Sequence, residues 1–93
     1  MPPLPLLTYR DVVKIFERMG WCVARQQGSH IVMTKEGHIA TLSIPAHKEV
    51  ARGTLRGLIR AADVSVSEFC DRYENLQAEL RMFRNLQRLA PVL

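Results

Sequence analysis

The chain has 93 residues, of which 47% are apolar and 24% are charged, and its formal net charge is +4. A chain of this length can build one compact core but not two, so we expect a single domain with a single functional site. Its longest apolar runs are a few residues long, far below the roughly 20 needed to cross a bilayer, so no membrane segment is predicted. The proline-rich start has neither a basic segment nor a small-residue cleavage site, and we therefore expect a cytoplasmic protein.

Positive charge is concentrated in the first two thirds of the chain. Residues 1–62 contain nine Lys or Arg against four acidic residues, whereas the remainder contains four Arg against five acidic residues. A positively charged domain favours an anionic partner, most often a nucleic acid, although many small basic proteins bind no nucleic acid.

The first part of the chain is predicted to form one helix followed by strands. Thr8 is a good N-cap, Asp11 can complete a capping box, and apolar residues recur at helical spacing up to Gly20, which predicts a helix over residues 9–19. From Trp21 onward the apolar period changes to two, with glycine-containing turns between the segments. We therefore expect a three-stranded antiparallel meander with strands at residues 21–25, 31–34 and 39–44.

Two further helices are predicted after the sheet. Residues 45–53 should form a loop, because Pro45 ends the strand and the segment has little apolar periodicity. Thr54 then caps a second helix, and the Ser65-Val66-Ser67-Glu68 capping box begins a third. The order of helix, three strands, helix and helix predicts an α+β fold in which helices cover an antiparallel sheet.

The third helix is longer than so small a body needs. Its apolar residues alternate in steps of three and four and form a seam made of Val66, Phe69, Tyr73, Leu76, Leu80 and Phe83, continuing to Leu86 and Leu89. The seam either folds back over the body as core or pairs with a second copy or a partner chain, and the pattern does not choose between these.

The chain lacks the commonest patterns of nucleotide and metal chemistry. It has no Gly-rich phosphate loop, no paired carboxylates and no His-x-x-x-His or Cys-x-x-Cys spacing, so we expect neither a metal nor a cofactor. Three histidines within a basic body remain as candidates for chemistry.

Strand alternation distinguishes His30 from the other histidines. Ile31 and Met33 form the core-facing set of the second strand, which turns His30 to the open face, beside Thr41 and Ser43 of the third strand. An imidazole with a pKa near neutrality can take the proton from an RNA 2′-hydroxyl as it attacks the adjacent phosphorus, or protonate the leaving 5′-oxygen. A lone exposed histidine is nonetheless more often an ordinary surface residue.

Three short motifs in a fixed order resemble one family. They are Gly28-Ser29-His30, then Ile44-Pro45-Ala46-His47-Lys48, then Gly53-Thr54-Leu55-Arg56 ahead of a Ser-Val-Ser-Glu-Phe entry to the last helix. Together they resemble the HicA (YcfA-like) toxins of type II toxin–antitoxin systems, over about residues 8–71. The resemblance implies a fold like the double-stranded-RNA-binding domain, ribonuclease activity on mRNA, and a HicB-type antitoxin as protein partner.

The resemblance also implies roles for individual residues. The family's catalytic histidine falls on His30, and its Pro-x-His motif falls on Pro45 and His47, where the role is substrate contact or loop ordering. His38 matches no motif and is expected at the surface of its turn. The candidate RNA contacts are Gly28, Ser29, Lys35, His47, Lys48, Arg52 and Arg56.

The length of the chain departs from the family pattern, because members usually end soon after the Ser-x-Glu-Phe helix. We therefore divide the chain into a toxin domain at residues 1–71 and a C-terminal helical extension at residues 72–93. The extension could lengthen the partner interface, form a homodimer, or shield the RNA face.

The leading functional hypothesis is a toxin that acts as a metal-independent endoribonuclease, cutting mRNA with a single catalytic histidine. The alternative is a non-catalytic RNA-binding module, in which the same sheet and basic loop hold RNA by its shape and backbone.

Overall fold

The elements follow one another in the predicted order, and the α+β fold class is confirmed. A computed structural model describes residues 4–89, with side chains as far as Gln87. The elements are α1 (Tyr9–Arg18), β1 (Cys22–Gln27), β2 (His30–Thr34), β3 (Leu42–Pro45), α2 (Arg52–Ala61) and α3 (Val66–Leu89). This arrangement is consistent with the double-stranded-RNA-binding-domain-like fold. None of the helices in the described part is both long enough and apolar enough to cross a membrane.

Helix α1 begins at the predicted cap. Thr8 Oγ1 accepts a hydrogen bond from the Asp11 backbone N–H at 3.2 Å, and the Asp11 carboxylate accepts one from the Thr8 N–H at 3.4 Å, which completes the capping box. Val12, Ile15 and Phe16 bury one face of the helix. α1 ends before Gly20, which takes a left-handed conformation with φ of +96°.

The three strands form one antiparallel sheet in the order β1-β2-β3. β1 extends to Gln27, two residues further than predicted, because only Gly28 and Ser29 form the turn to β2. A bulge between Val23 and Arg25 shifts the register of the edge strand β1.

The third strand begins three residues later than predicted. The His38 N–H donates to the Lys35 carbonyl at 3.0 Å, and His38 Nδ1 accepts from the Ala40 N–H at 3.3 Å. These local bonds hold residues 38–40 in a loop, so Ile39 is fully exposed and β3 starts only at Leu42.

The core lies between one face of the sheet and the three helices. Met33, Leu42 and Ile44 supply the sheet side and are fully buried. Phe16 lies at the centre, with its ring 5.3 Å from Phe69 and 6.5 Å from Trp21. The remaining buried core residues come from the helices and the flanking segments: Leu4, Leu7, Val12, Ile15, Val50, Leu55, Leu58, Ile59, Ala62 and Leu76.

The prediction that Thr54 caps the second helix is wrong. α2 begins at Arg52 with Ala51 as its N-cap and with no side-chain cap, so Thr54 lies inside the first turn. The N-terminal segment fixes this earlier start. The Val50 N–H donates to the Leu7 carbonyl at 2.8 Å, and Arg52 Nε donates to the Leu4 carbonyl at 2.8 Å.

Helix α3 begins at the predicted capping box and has two unlike halves. Ser65 Oγ accepts from the Glu68 N–H at 3.0 Å, and its first half packs on the body through Phe69 and Leu76. Arg18 donates to the Glu79 carboxylate at 2.7 Å, and this hydrogen bond lowers the pKa of Glu79.

Beyond Glu79 the apolar side chains of α3 no longer pack against the rest of the domain. Leu80, Phe83 and Leu86 are 37%, 58% and 62% exposed. The first half of the predicted seam is therefore core, whereas the second half is uncovered as far as the side chains are described. The side chain of Leu89, the last predicted seam position, lies outside the described residues.

Candidate functional site

The backbone of His30 is held on both sides by neighbouring strands. Gly28 and Ser29 form the two-residue turn, and Gly28 has φ of +56°, which a glycine adopts at little cost. His30 is the first residue of the central strand and pairs with Gln27 of β1 and Pro45 of β3. Because β2 lies between β1 and β3, the pairing with both strands sets the position of the His30 Cα.

The sheet register places the His30 side chain on the open face, as predicted. Met33 points into the core and is fully buried, and alternation turns His30 the other way, where it is exposed. Ser43 pairs with Val32 and is exposed on the same face, diagonally across from His30. Thr41 precedes β3 and does not lie beside His30, because the register pairs His30 with Pro45, four residues further along the chain.

Three backbone hydrogen bonds join the loop after β3 to the hairpin and to α1. The Ala46 N–H donates to the Ser29 carbonyl at 2.7 Å, the His47 N–H to the Pro45 carbonyl at 2.8 Å, and the Tyr9 N–H to the His47 carbonyl at 3.3 Å. The side chains of His47 and Lys48 are exposed. We call Gly28, Ser29, His30 and residues 45–48 the hairpin end of the sheet. This end brings together five of the predicted site residues.

The other three predicted RNA contacts are not part of the hairpin end, and each has different neighbours. Lys35 follows the last residue of β2, about 17 Å from His30 at the usual rise along a strand. It lies against Gly20, where an added Cβ would meet Lys35 Cε at 3.3 Å. Arg52 donates to the Leu4 carbonyl, and Arg56 lines a cleft of about 240 Å³ with Ile59, Arg60, Val64 and Val66.

His38 has a different environment from His30 and His47. It is half-buried, its ring centre lies 5.0 Å from that of Trp21, and its Nδ1 accepts the Ala40 N–H. The expectation that it is a simple surface residue of its turn is wrong. Trp21 and the loop hold the ring, which leaves His38 with a packing role.

Comparison with protein families decides the identity. A family model described as the HicA toxin of bacterial toxin–antitoxin systems matches residues 9–64, more than half of the chain. The chain belongs to the HicA toxin family. It is therefore the toxin component of a toxin–antitoxin system, with an antitoxin as its partner. Comparisons with curated proteins and with solved structures each found no significant match.

The match to the HicA family includes the whole hairpin end and stops before α3. It covers α1, the sheet, the loop after β3 and α2. Across residues 4–87, no group of three or more His, Cys, Asp or Glu side chains is placed to hold a metal ion.

Two basic residues of this HicA-family chain that the sequence motifs do not include, Arg10 and Lys14, lie in the first turns of α1. Arg10 Nε donates to Tyr9 Oη at 3.2 Å, which raises the pKa of Arg10, and its guanidinium carbon lies 5.7 Å from the centre of the Tyr9 ring. Lys14 follows one helical turn later. Neither basic residue was singled out from the sequence, because helical spacing does not reveal that the loop after β3 contacts the N-terminus of α1.

Proposed function

We propose that this toxin is an endoribonuclease that cleaves mRNA, and that His30 is its catalytic residue. The observation that supports this best is the setting of His30 at the hairpin end. Its backbone is held by two neighbouring strands while its imidazole is exposed, and no group in residues 4–87 hydrogen-bonds to that imidazole. The fixed backbone places the imidazole at a defined position, and its exposed nitrogens can exchange a proton with a ligand that binds there.

The reaction uses a group that RNA itself provides. As the 2′-oxygen attacks the adjacent phosphorus, His30 takes the 2′-hydroxyl proton, or in the alternative assignment it donates a proton to the 5′-oxygen. The bond from phosphorus to the 5′-oxygen breaks, which leaves a 2′,3′-cyclic phosphate and a 5′-hydroxyl. The attacking oxygen belongs to the substrate, so the step needs no metal-activated water. DNA lacks the 2′-hydroxyl and is not a substrate.

The other residues of the hairpin end have supporting roles in this proposal. Gly28 and Ser29 present backbone without bulky side chains, so that a phosphate can approach closely. His47 and Lys48 are exposed in the loop that bonds to Ser29 through Ala46, and in this proposal they neutralise the charge that develops on phosphorus. A HicB-type antitoxin is the partner that we propose to restrain the activity.

Cleavage by a His30→Ala variant tests the catalytic assignment. Purified protein is incubated with RNA and a chelator, and RNA binding is measured in parallel. We expect the wild type to cut RNA in the chelator, and the variant to be slower by about 10²- to 10⁴-fold with unchanged RNA affinity.

Two results would count against the proposed mechanism. If the variant cuts RNA at the wild-type rate, His30 is not the catalytic residue. If the wild-type protein cuts RNA only when a metal ion is present, the metal-free step is wrong. If the wild type binds RNA and leaves it intact, the chain is the RNA-binding module of the second hypothesis.

The charges on the exposed part of α3 argue against a homodimer formed through this helix. Leu80, Phe83 and Leu86 are exposed, but residues 80–87 contain Arg81 and Arg84 and no acidic residue. A symmetric pair along this segment would bring like charges together, which is unfavourable. Analytical ultracentrifugation of the full chain should show a monomer at micromolar concentrations. A dimer that dissociates in the Phe83→Ser variant would establish the helix as the interface.

A further inference from the structure

A shallow groove lies beside the hairpin end, and of its lining residues only Lys48 has a role in the chemistry proposed above. Two clefts, of about 230 and 300 Å³, share Tyr9 and Arg10 at the start of α1. Lys14 lines the first cleft and Lys48 the second. We call this surface the Tyr9 groove; its lining residues are Thr8, Tyr9, Arg10, Val13, Lys14, Glu17, Ile31 and Lys48.

The Tyr9 groove combines apolar and basic side chains. Tyr9, Val13 and Ile31 are half-buried and pack against the core. Three basic residues and one acidic residue, Glu17, stand around them, which leaves the groove positive. An apolar floor suits the face of a base and a basic rim suits phosphates, which are the two features of surfaces that bind single-stranded nucleic acid.

The Tyr9 groove is connected to the hairpin end through the main chain. The Tyr9 N–H donates to the His47 carbonyl, and the adjacent Ala46 N–H donates to the Ser29 carbonyl, one residue before His30. Ile31 contributes to the groove from one face of β2, while His30 occupies the other face one residue earlier. A nucleic-acid strand that passes around the end of the sheet would therefore contact both the Tyr9 groove and His30.

We propose that the Tyr9 groove binds the nucleotides of single-stranded RNA that flank the bond cut at His30. This inference rests on the proposed ribonuclease function and adds to it the form of the substrate. In a duplex the bases are stacked and paired, so they cannot lie on the floor formed by Tyr9, Val13 and Ile31. An unpaired strand offers both its bases and its phosphates.

The test measures the affinity of a fluorescein-labelled single-stranded RNA in the His30→Ala background, where binding is separated from cleavage. The Arg10→Ala/Lys14→Ala double variant should bind about tenfold more weakly than the background protein. The slope of log affinity against log salt should become shallower by about 1.4, the value for two lost phosphate contacts on a single strand. Thermal unfolding checks that the variant remains folded.

The Arg81→Ala/Arg84→Ala double variant is the matched control, because it removes the same charge from the exposed part of α3. It should bind the single strand as the background protein does. The same RNA as a duplex should bind more weakly than the single strand and lose less affinity in the Arg10/Lys14 variant.

Three outcomes would overturn the proposal. They are equal losses in the two double variants, equal affinity for duplex and single strand, and equally tight binding of polyglutamate, which would show an acidic-peptide site instead. Cleavage by the wild-type protein, assayed separately, distinguishes this failure from failure of the ribonuclease. RNA that is cut although the groove variant binds normally refutes the groove alone, and RNA bound in the groove but never cut refutes the nuclease alone.

Discussion

The two ends of the sheet carry the same kinds of residue in different settings. The hairpin end has Gly28, His30 and Lys48, and the opposite end has Gly20, His38 and Lys35. At the opposite end His38 packs on Trp21 and accepts a hydrogen bond from Ala40, and Lys35 lies against Gly20.

The hairpin end is held together by the main chain instead. The bond from Ala46 to Ser29 and the bond from Tyr9 to His47 join backbone atoms only. The side chains of His30, His47 and Lys48 are consequently left exposed for a ligand. Residue type is therefore similar at the two ends, and they differ in whether the side chains have partners within the protein.

The largest expected difference lies between the two histidines. His30→Ala should leave stability unchanged within about 0.5 kcal/mol, since the side chain is exposed, while it slows cleavage by about 10²- to 10⁴-fold. His38→Ala should cost about 1 to 2 kcal/mol through the lost ring contact and the freed Ala40 N–H, and lower Tm by roughly 5 to 10 °C. Thermal unfolding and RNA cleavage are measured on both variants. A His38→Ala variant that keeps its stability but loses cleavage would contradict the packing role of His38.

A smaller difference should separate the two lysines. Lys48→Ala should lower kcat/KM for RNA about twofold to fivefold with no change in Tm, because an exposed cation of the proposed site is lost. Lys35→Ala should lower Tm slightly and leave kcat/KM unchanged, because its stem covers Gly20. Lys35→Met keeps most of that stem and should recover the Tm. If Lys35→Met instead lowers kcat/KM, the positive end of Lys35 contacts RNA despite its distance from His30.

Much of the fold followed from local sequence signals. The Thr8 and Ser65 capping boxes are short-range patterns, and both occur in the structure where the sequence predicts them. Alternation on β2 likewise gave the side of the sheet on which His30 lies. The prediction for Thr54 was wrong because the start of α2 depends on contacts with Leu4 and Leu7, which are more than forty residues away and leave no local pattern.

The site itself was only partly accessible from sequence. The motifs grouped Gly28, His30 and His47 correctly in space, since the register of β2 and β3 brings them to one end of the sheet. They also included Lys35, whose distance from His30 is evident only once the direction of β2 is known. Arg10 was overlooked for the converse reason, because the loop that reaches α1 is formed by residues remote in sequence.

The bulge in β1 has a consequence for self-association of the sheet. β1 is an edge strand whose six residues are all exposed, so its unpaired backbone groups could template a strand from another molecule. The irregular register between Val23 and Arg25 interrupts the even spacing that such a template requires. At the other edge Pro45 has no N–H to donate. Both edges therefore resist growth into the extended sheets of amyloid, although every residue of β1 is exposed to solvent.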